Sequence, residues 1–204
     1  MNLLTHEILD NGCCYSFSSK KNSKKIFFLD RDGVINLDKG YVHQISDLIL
    51  LKKNIAIIKS LSKNFQFIVI TNQSGIDRGL YDWTDYIKFT NFLYKKLLQE
   101  KIEILAFFAS PYHKNFSNNQ NVDEWRKPGI GAINFLKARY IFDVKKSYYV
   151  GDKLSDIEFA SNAEFKGAFI TKSDTLKIDI QSIRTKYKKL HMLDTFSNID
   201  IKTL

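Results

Sequence analysis

The stretch Lys25-Ile-Phe-Phe-Leu-Asp30-Arg-Asp32-Gly33 constrains the fold more than any other in the chain. Four apolar β-formers, Ile26 to Leu29, run straight into two carboxylates one residue apart, and then a glycine. A short, uninterrupted apolar run of this kind reads as a strand covered on both faces, as in parallel sheets. Open parallel sheets gather their ligands at the carboxyl ends of their strands. The strand is scaffold and the two aspartates are candidate chemistry. A turn past the strand end aims Asp30 into a site and swings Asp32 beside it, so that one attacks while the other handles a proton. The same Asp-x-Asp-Gly also suits a surface turn closed by glycine, and the rest of the chain has to decide between the two.

Further strand ends of the same character follow. Asn54 to Lys63 carries apolar residues at 55, 57, 58 and 61, the spacing of an amphipathic helix, and Phe65 to Ile70 is a second buried strand. With the first strand they form a βαβ unit, so the two strands run parallel. The second strand also ends in polar groups, Thr71-Asn72-Gln73-Ser74-Gly75, whose hydroxyl, amides and freed backbone N–H groups suit a phosphoryl oxygen. A helix is expected over 85–101, a third strand over Ile104 to Ala109, and a helix from near Ile130 to Tyr140. Before that helix stand Arg126-Lys127-Pro128; the proline suits a first helical turn, which would fix both cations at a helix N-terminus, ready for an anion. The fourth strand, Ser147 to Val150, ends in Gly151-Asp152-Lys153-Leu154-Ser155-Asp156, again carboxylates where a strand stops. Phe165 to Ile170 gives a fifth strand, and the segment from Leu190 could add a last strand and a short helix. Strands alternating with helices, without internal repeats, predict an α/β fold with a doubly wound parallel sheet.

Composition narrows the class. A chain of 204 residues with 44% hydrophobic residues and only two prolines is long enough for one well-buried α/β domain. That domain is expected over 25–204, preceded by a polar extension over 1–24 in which Ile8, Leu9, Tyr15 and Phe17 could pack as a short strand. Adjacent Cys13 and Cys14 cannot form an ordinary disulfide, which points to reduced thiols in a cytoplasmic protein. No apolar run is long enough to span a bilayer. The net charge of +9 is spread over short lysine clusters and not concentrated in a block, so a solvated surface explains it more simply than a nucleic-acid partner. Hard oxygen ligands from Asp30, Asp152 and the backbone carbonyl of Asp32 suit Mg2+, while zinc is not expected without a cysteine and histidine cluster. His43, alone in a polar loop, is left out of the catalytic set.

Taken in this order, the motifs resemble the haloacid dehalogenase-like phosphohydrolase superfamily, whose fold is Rossmann-like. Leu29-Asp-Arg-Asp-Gly-Val-Ile-Asn36, Gly40-Tyr-Val-His43, Thr71-Asn-Gln-Ser-Gly-Ile76, Arg78-Gly79, Arg126-Lys-Pro128 and Val150-Gly-Asp-Lys-Leu154 are similar to those of the D-glycero-D-manno-heptose 1,7-bisphosphate 7-phosphatase family. The resemblance implies a nucleophile at Asp30, a general acid and base at Asp32, and steadying of the phosphoryl group by Thr71 and Lys127. It implies a metal site of Asp30, Asp152 and the backbone carbonyl of Asp32. Substrate contacts follow from it at Asp38, Lys39, Gly40, Tyr41, Asn72, Gln73, Ser74, Arg126 and Lys153. The implied partner is a phosphorylated sugar, with no membrane partner, no large cap domain and a monomeric state. One departure stands out. Where that family commonly carries a zinc loop of three cysteines and a histidine, this chain offers Ser110, Tyr112, Asp123 and Trp125, with His113 nearby. A polynucleotide 3′-phosphatase or a histidinol-phosphatase-like enzyme is the alternative reading, and a phosphate-binding protein without turnover is a third.

Overall fold

The computed structural model describes residues 4–117, 122–171, 180–188, 190 and 192–204. Among these, the strands are β1 (Thr5–Ile8), β2 (Cys14–Phe17), β3 (Lys25–Leu29), β4 (Phe65–Asn72), β5 (Ile104–Ser110), β6 (Tyr148–Gly151), β7 (Gly167–Ile170) and β8 (Met192–Thr195). The helices are α1 (Lys52–Leu61), α2 (Trp83–Gln99), α3 (Val122–Trp125), α4 (Gly131–Lys137), α5 (Leu154–Asn162) and α6 (Ile180–Lys186). The strands form one sheet in the order β1-β2-β5-β4-β3-β6-β7-β8. From β5 to β8 every pairing is parallel, with β3 at the centre; β1 and β2 form a hairpin that adds to β5 antiparallel.

Alternation along β3 explains the two layers. Ile26 and Phe28 point into one apolar cluster, with Ile133 and Leu136 of α4 and Ile157 and Ala160 of α5. Phe27 and Leu29 point into the other, with Ile55 and Ile58 of α1 and Phe89, Leu93 and Leu97 of α2. Each fully buried phenylalanine contributes roughly 1.5–3 kcal/mol by leaving water, so the central strand is strongly fixed in register.

The helix expected over 85–101 runs from Trp83 because Asp82 caps it, its carboxylate accepting from the Asp85 N–H at 3.0 Å. The polar extension is where the structure differs most from the sequence pattern. Residues 5–17 are a hairpin of the sheet itself, and Cys14 pairs with Ala109. His6 pins the hairpin to α2: the Asn91 Nδ2 group donates to His6 Nε2 at 2.9 Å, which leaves the proton on Nδ1 to be donated to Ser16 Oγ at 2.8 Å. Between β3 and β4 lie only a polar loop, a 3₁₀ turn (Ile45–Asp47) and α1, and no cap domain is inserted there. No helix among the described residues is long and apolar enough to cross a membrane.

Candidate active site

The carboxyl ends of β3, β4 and β6 meet the loop after β5 around a cavity of about 360 Å³, a size suited to a small phosphorylated molecule. Asp30 leaves β3 with its N–H bonded to the Val150 carbonyl at 2.8 Å, which fixes the backbone that carries the carboxylate. The Lys127 ammonium, almost wholly buried, lies 3.0 Å from Asp30 Oδ1 and 2.7 Å from Asp156 Oδ1, and it also donates to Tyr149 Oη and the Ile70 carbonyl. Burial pushes Asp30 above the ordinary carboxylate range; Lys127 opposes this, while Asp156, Asp152 and Asp32 add to it. Lys127 itself is held above its usual value: Asp156 and Asp30 outweigh the desolvation that would lower it.

Asp32 faces a different set of groups, all donors. Arg31 Nη2 reaches its Oδ2 at 2.8 Å and Nε reaches Oδ1 at 3.1 Å, Asn36 Nδ2 donates to Oδ1 at 2.8 Å, and Gln73 Nε2 donates to Oδ2 at 3.0 Å. Arg31 is fully buried, its guanidinium stacked 4.7 Å from the Phe89 ring and donating to the Val42 carbonyl at 2.6 Å. Gln73 is fixed in turn, giving a hydrogen to Thr71 Oγ1 at 2.8 Å and accepting one from Tyr81 Oη at 2.7 Å. The two aspartates that the sequence sets side by side are therefore separated chemically. Asp30 looks toward a buried cation and two further carboxylates, and Asp32 is clamped between neutral and cationic donors.

Most of the residues implied by the sequence line this cavity: Asp30, Asp32, Thr71 and Lys127 at the centre, and Asp38, Gly40, Tyr41, Asn72, Gln73, Ser74, Arg126 and Lys153 around it. Lys153 Nζ donates to Asp38 Oδ2 at 3.0 Å, tying the loop after β3 to the end of β6. Its charge is favoured despite burial, because Asp152, Asp38 and Asp30 surround it. Asn72 clasps the backbone of Lys127 from both sides, at 3.1 and 3.2 Å. Lys39 is different. Its exposed ammonium lies 3.5 Å from Asp47, and it is not part of the cavity wall, since neighbouring Gly40 and Tyr41 turn with positive φ and carry the chain back to the site without it.

One further expectation is corrected by the geometry. Arg126 and Lys127 do not sit at a helix N-terminus; they follow the last turn of α3, and α4 starts only at Gly131. Lys127 is placed by burial against Asp30 and Asp156, not by a helix end. The carboxylate of Asp32 is held by Arg31, Asn36 and Gln73, which leaves its backbone carbonyl as the expected metal contact beside the acidic cluster of Asp30, Asp152 and Asp156, among the described residues the one group with the make-up of a metal site.

These three buried carboxylates present ligand oxygens within 4.8 Å of one another, a hard, anionic donor set of the kind Mg2+ takes. Asp156 is the least available of them. Its Oδ1 accepts from Lys127 and Tyr149, and its Oδ2 accepts the N–H groups of Asp152 and Lys153, both at 3.1 Å. Asp30 and Asp152 are thus the better placed side chains, with Asp156 positioning Lys127 and the start of α5. Gly33 is required beside them: its φ is +76°, and a Cβ there would stand 2.3 Å from Asp152 Oδ2.

Sequence reasoning gave no role to Arg31, Tyr81, His113 or Ser155, and it placed Asp156 at a strand end without a role. Arg31 carries no local mark of burial, and only the aromatic residues of α2, far along the chain, give it a place. The role of Asp156 could have been read, because an acid three residues into a helix that opens at Lys153 is a capping signal.

Fold and site together are those of the haloacid dehalogenase-like phosphatases. D-glycero-alpha-D-manno-heptose-1,7-bisphosphate 7-phosphatase of Photorhabdus laumondii is 36% identical over 155 residues, covering 74% of this chain and 85% of the relative. D-glycero-beta-D-manno-heptose-1,7-bisphosphate 7-phosphatase of Escherichia coli is 38% identical over 141 residues, covering 67% and 73%. The solved structure of D,D-heptose 1,7-bisphosphate phosphatase from B. bronchiseptica, complexed with magnesium and phosphate, is similar with a TM-score of 0.65 and 28% identity, covering 72% of this chain and 80% of that one. The chain belongs to this superfamily of phosphoric monoester hydrolases and, within it, to the family described as polynucleotide kinase 3 phosphatase, which it matches over residues 25–189.

Proposed function

We propose that this protein removes the 7-phosphate of D-glycero-D-manno-heptose 1,7-bisphosphate, in the cytoplasm and as a monomer, in the synthesis of nucleotide-activated heptose for surface polysaccharide. The observation that carries the reaction is the separation of the two aspartates: Asp30 beside Lys127, Asp32 among donors, both in one cavity. In the first step the Asp30 carboxylate forms a bond to phosphorus as the bond from phosphorus to the sugar oxygen breaks, and Asp32 gives that oxygen its proton. In the second, Asp32 takes a proton from water, whose oxygen bonds to phosphorus and releases phosphate from Asp30. Lys127 and Thr71 lie where the transferring oxygens would gather. Arg126, Lys153, Asp38, Gly40 and Tyr41 line the cavity around these groups, where the sugar and its second phosphate would lie.

Mg2+ is the cofactor of this reading, held by Asp30, Asp152 and the Asp32 carbonyl; it neutralises the carboxylates and phosphate oxygens when bound. Zinc has no part in it. The activities after which the relatives are named and the size of the cavity support the choice of sugar. The test is phosphate release with magnesium from both anomers of heptose 1,7-bisphosphate and from histidinol phosphate, each beside Asp30→Asn. Fast release from one heptose anomer, lost in the variant, is expected.

Two observations favour a second reading. The matched family is described as polynucleotide kinase 3 phosphatase, and the chain has a net charge of +9. A 3′-phosphorylated oligonucleotide in the same panel decides this. Release from the oligonucleotide alone, falling steeply with salt, would replace the sugar by a nucleic-acid end.

A further inference from the structure

The loop that leaves β5 carries His113 and, after α3, Arg126 to the cavity. In related zinc-loop enzymes a metal would fasten this stretch, but the residues here do not fit one. The positions in question hold a serine, a phenol, an aspartate and an indole. Asp123 is highly exposed and lies 3.7 Å from Lys114, and the Trp125 ring is stacked on Phe108. None supplies a thiolate, and His113 belongs to no cluster of metal-ligating groups among the described residues.

Two other fastenings are present. On one side, Asp77 Oδ2 accepts the His113 N–H at 3.1 Å and the Ser117 hydroxyl. The next residue, Arg78, gives Nη2 to His113 Nε2 at 2.8 Å, and its guanidinium lies between the rings of Phe116, at 4.6 Å, and Tyr41, at 5.4 Å. Arg78 can only donate, so His113 accepts at Nε2. Burial and the neighbouring Arg78 and Arg126 lower the pKa of His113, in keeping with the neutral ring this contact needs. On the other side, the Tyr112 hydroxyl donates to the Asn11 carbonyl in the tip of the β1–β2 hairpin, and the Tyr112 carbonyl accepts from Arg126 Nη1 at 2.7 Å. That tip is shaped to Tyr112: Gly12 has φ +80°, and a Cβ there would lie 2.8 Å from Tyr112 Oη.

We infer that Asp77 and the N-terminal hairpin, through His113 and Tyr112, replace a metal as the clamp of the loop after β5 and so position Arg126 for the part of the substrate remote from the reacting phosphate. The inference deepens the proposed function, because it rests on Arg126 contacting the sugar or its second phosphate. Asp77, Tyr112 and the hairpin tip are positioning groups in it. They act on affinity through Arg126, and the strand-end machinery around Asp30 is independent of them.

The test uses the full chain with Asp77→Ala and Tyr112→Phe, read in two ways. Hydrogen exchange of the backbone over 111–117 is expected to speed up about fivefold or more in both variants, with β5 itself unchanged, and a zinc chelator in excess magnesium is expected to leave the unmutated loop as it was. In steady state, each variant raises KM for the sugar bisphosphate about fivefold or more with kcat within about twofold, and in an Arg126→Ala background neither raises it further. Unchanged exchange in both variants, loosening by the chelator, or effects that add to Arg126→Ala would overturn the inference. Exchange needs no turnover, so a protein that ignores heptose bisphosphate would refute the substrate while the clamp is still judged by 111–117. Tyr112→Phe, which loses one hydroxyl, guards against Asp77→Ala acting by misfolding.

Discussion

The strand ends around Asp30 and the loop around Arg126 face the same cavity but are built differently. Asp30 follows a strand whose apolar side chains are wholly buried on both faces, and Lys127 beside it is held by four polar groups inside the protein. Arg126 depends on side chains of two distant segments that meet near the surface, Asp77–Arg78 and the hairpin tip. The difference teaches a division of labour. Groups that must meet a reacting phosphorus within tenths of an ångström are placed by the sheet. Groups that select the rest of the molecule sit on loops whose fastenings can be exchanged without disturbing the sheet.

The largest effect should come from the rigid side. Asp30→Asn is expected to lower phosphate release on the order of 10⁴-fold or more while circular dichroism and melting stay close to those of the parent. Asp32→Asn should cost less, about 10²–10⁴-fold in kcat, because nucleophile and cation remain; a variant with unchanged activity would break the assignment of acid and base. Asp156→Ala sharpens the comparison in another measurement. Lys127 and the N–H groups of Asp152 and Lys153 lose a buried partner, and a loss of roughly 3–5 kcal/mol of stability is expected in denaturant unfolding. On the loop side, Arg126→Ala should raise KM for a sugar bisphosphate about tenfold while sparing kcat, and an equal fall in kcat would erase the distinction drawn above.

The smallest expected effect concerns Cys13 and Cys14. Burial, more than any neighbour, pushes their thiols up to about 12 and about 11, so the folded protein should resist thiol reagents between pH 7 and 9 and react fully only once unfolded. Ready labelling at pH 8 would mean that the hairpin opens away from β5.

How much of this could be read beforehand follows the same division. Strands β3 and β4 are runs of apolar residues that stop at polar ones, and their ends name Asp30, Asp32, Thr71 and Asn72 directly. The hairpin could not be read so easily. Its four-residue strands include His6 and Ser16, polar groups whose partners are each other and Asn91 of α2. Arg31 looks like a surface charge between two acids until Phe89 and the Val42 carbonyl are brought to it. Lys127 looked like a helix-end cation because proline commonly opens helices, and only the tertiary pairing with Asp156 shows that its charge is enclosed. In each case the missing information was a contact with a distant segment, to which local periodicity is blind.

The hairpin also bears on the order of events while the protein is being made. Its strands precede β5 in the chain, and the partner of Cys14 is Ala109, most of a hundred residues downstream. Until β5 is made, β2 therefore offers an open row of N–H and carbonyl groups on a ribbon too small to be stable alone. β5 pairs with β4 on one side and with this ribbon on the other, so this flank of the sheet is complete only once β5 is in place.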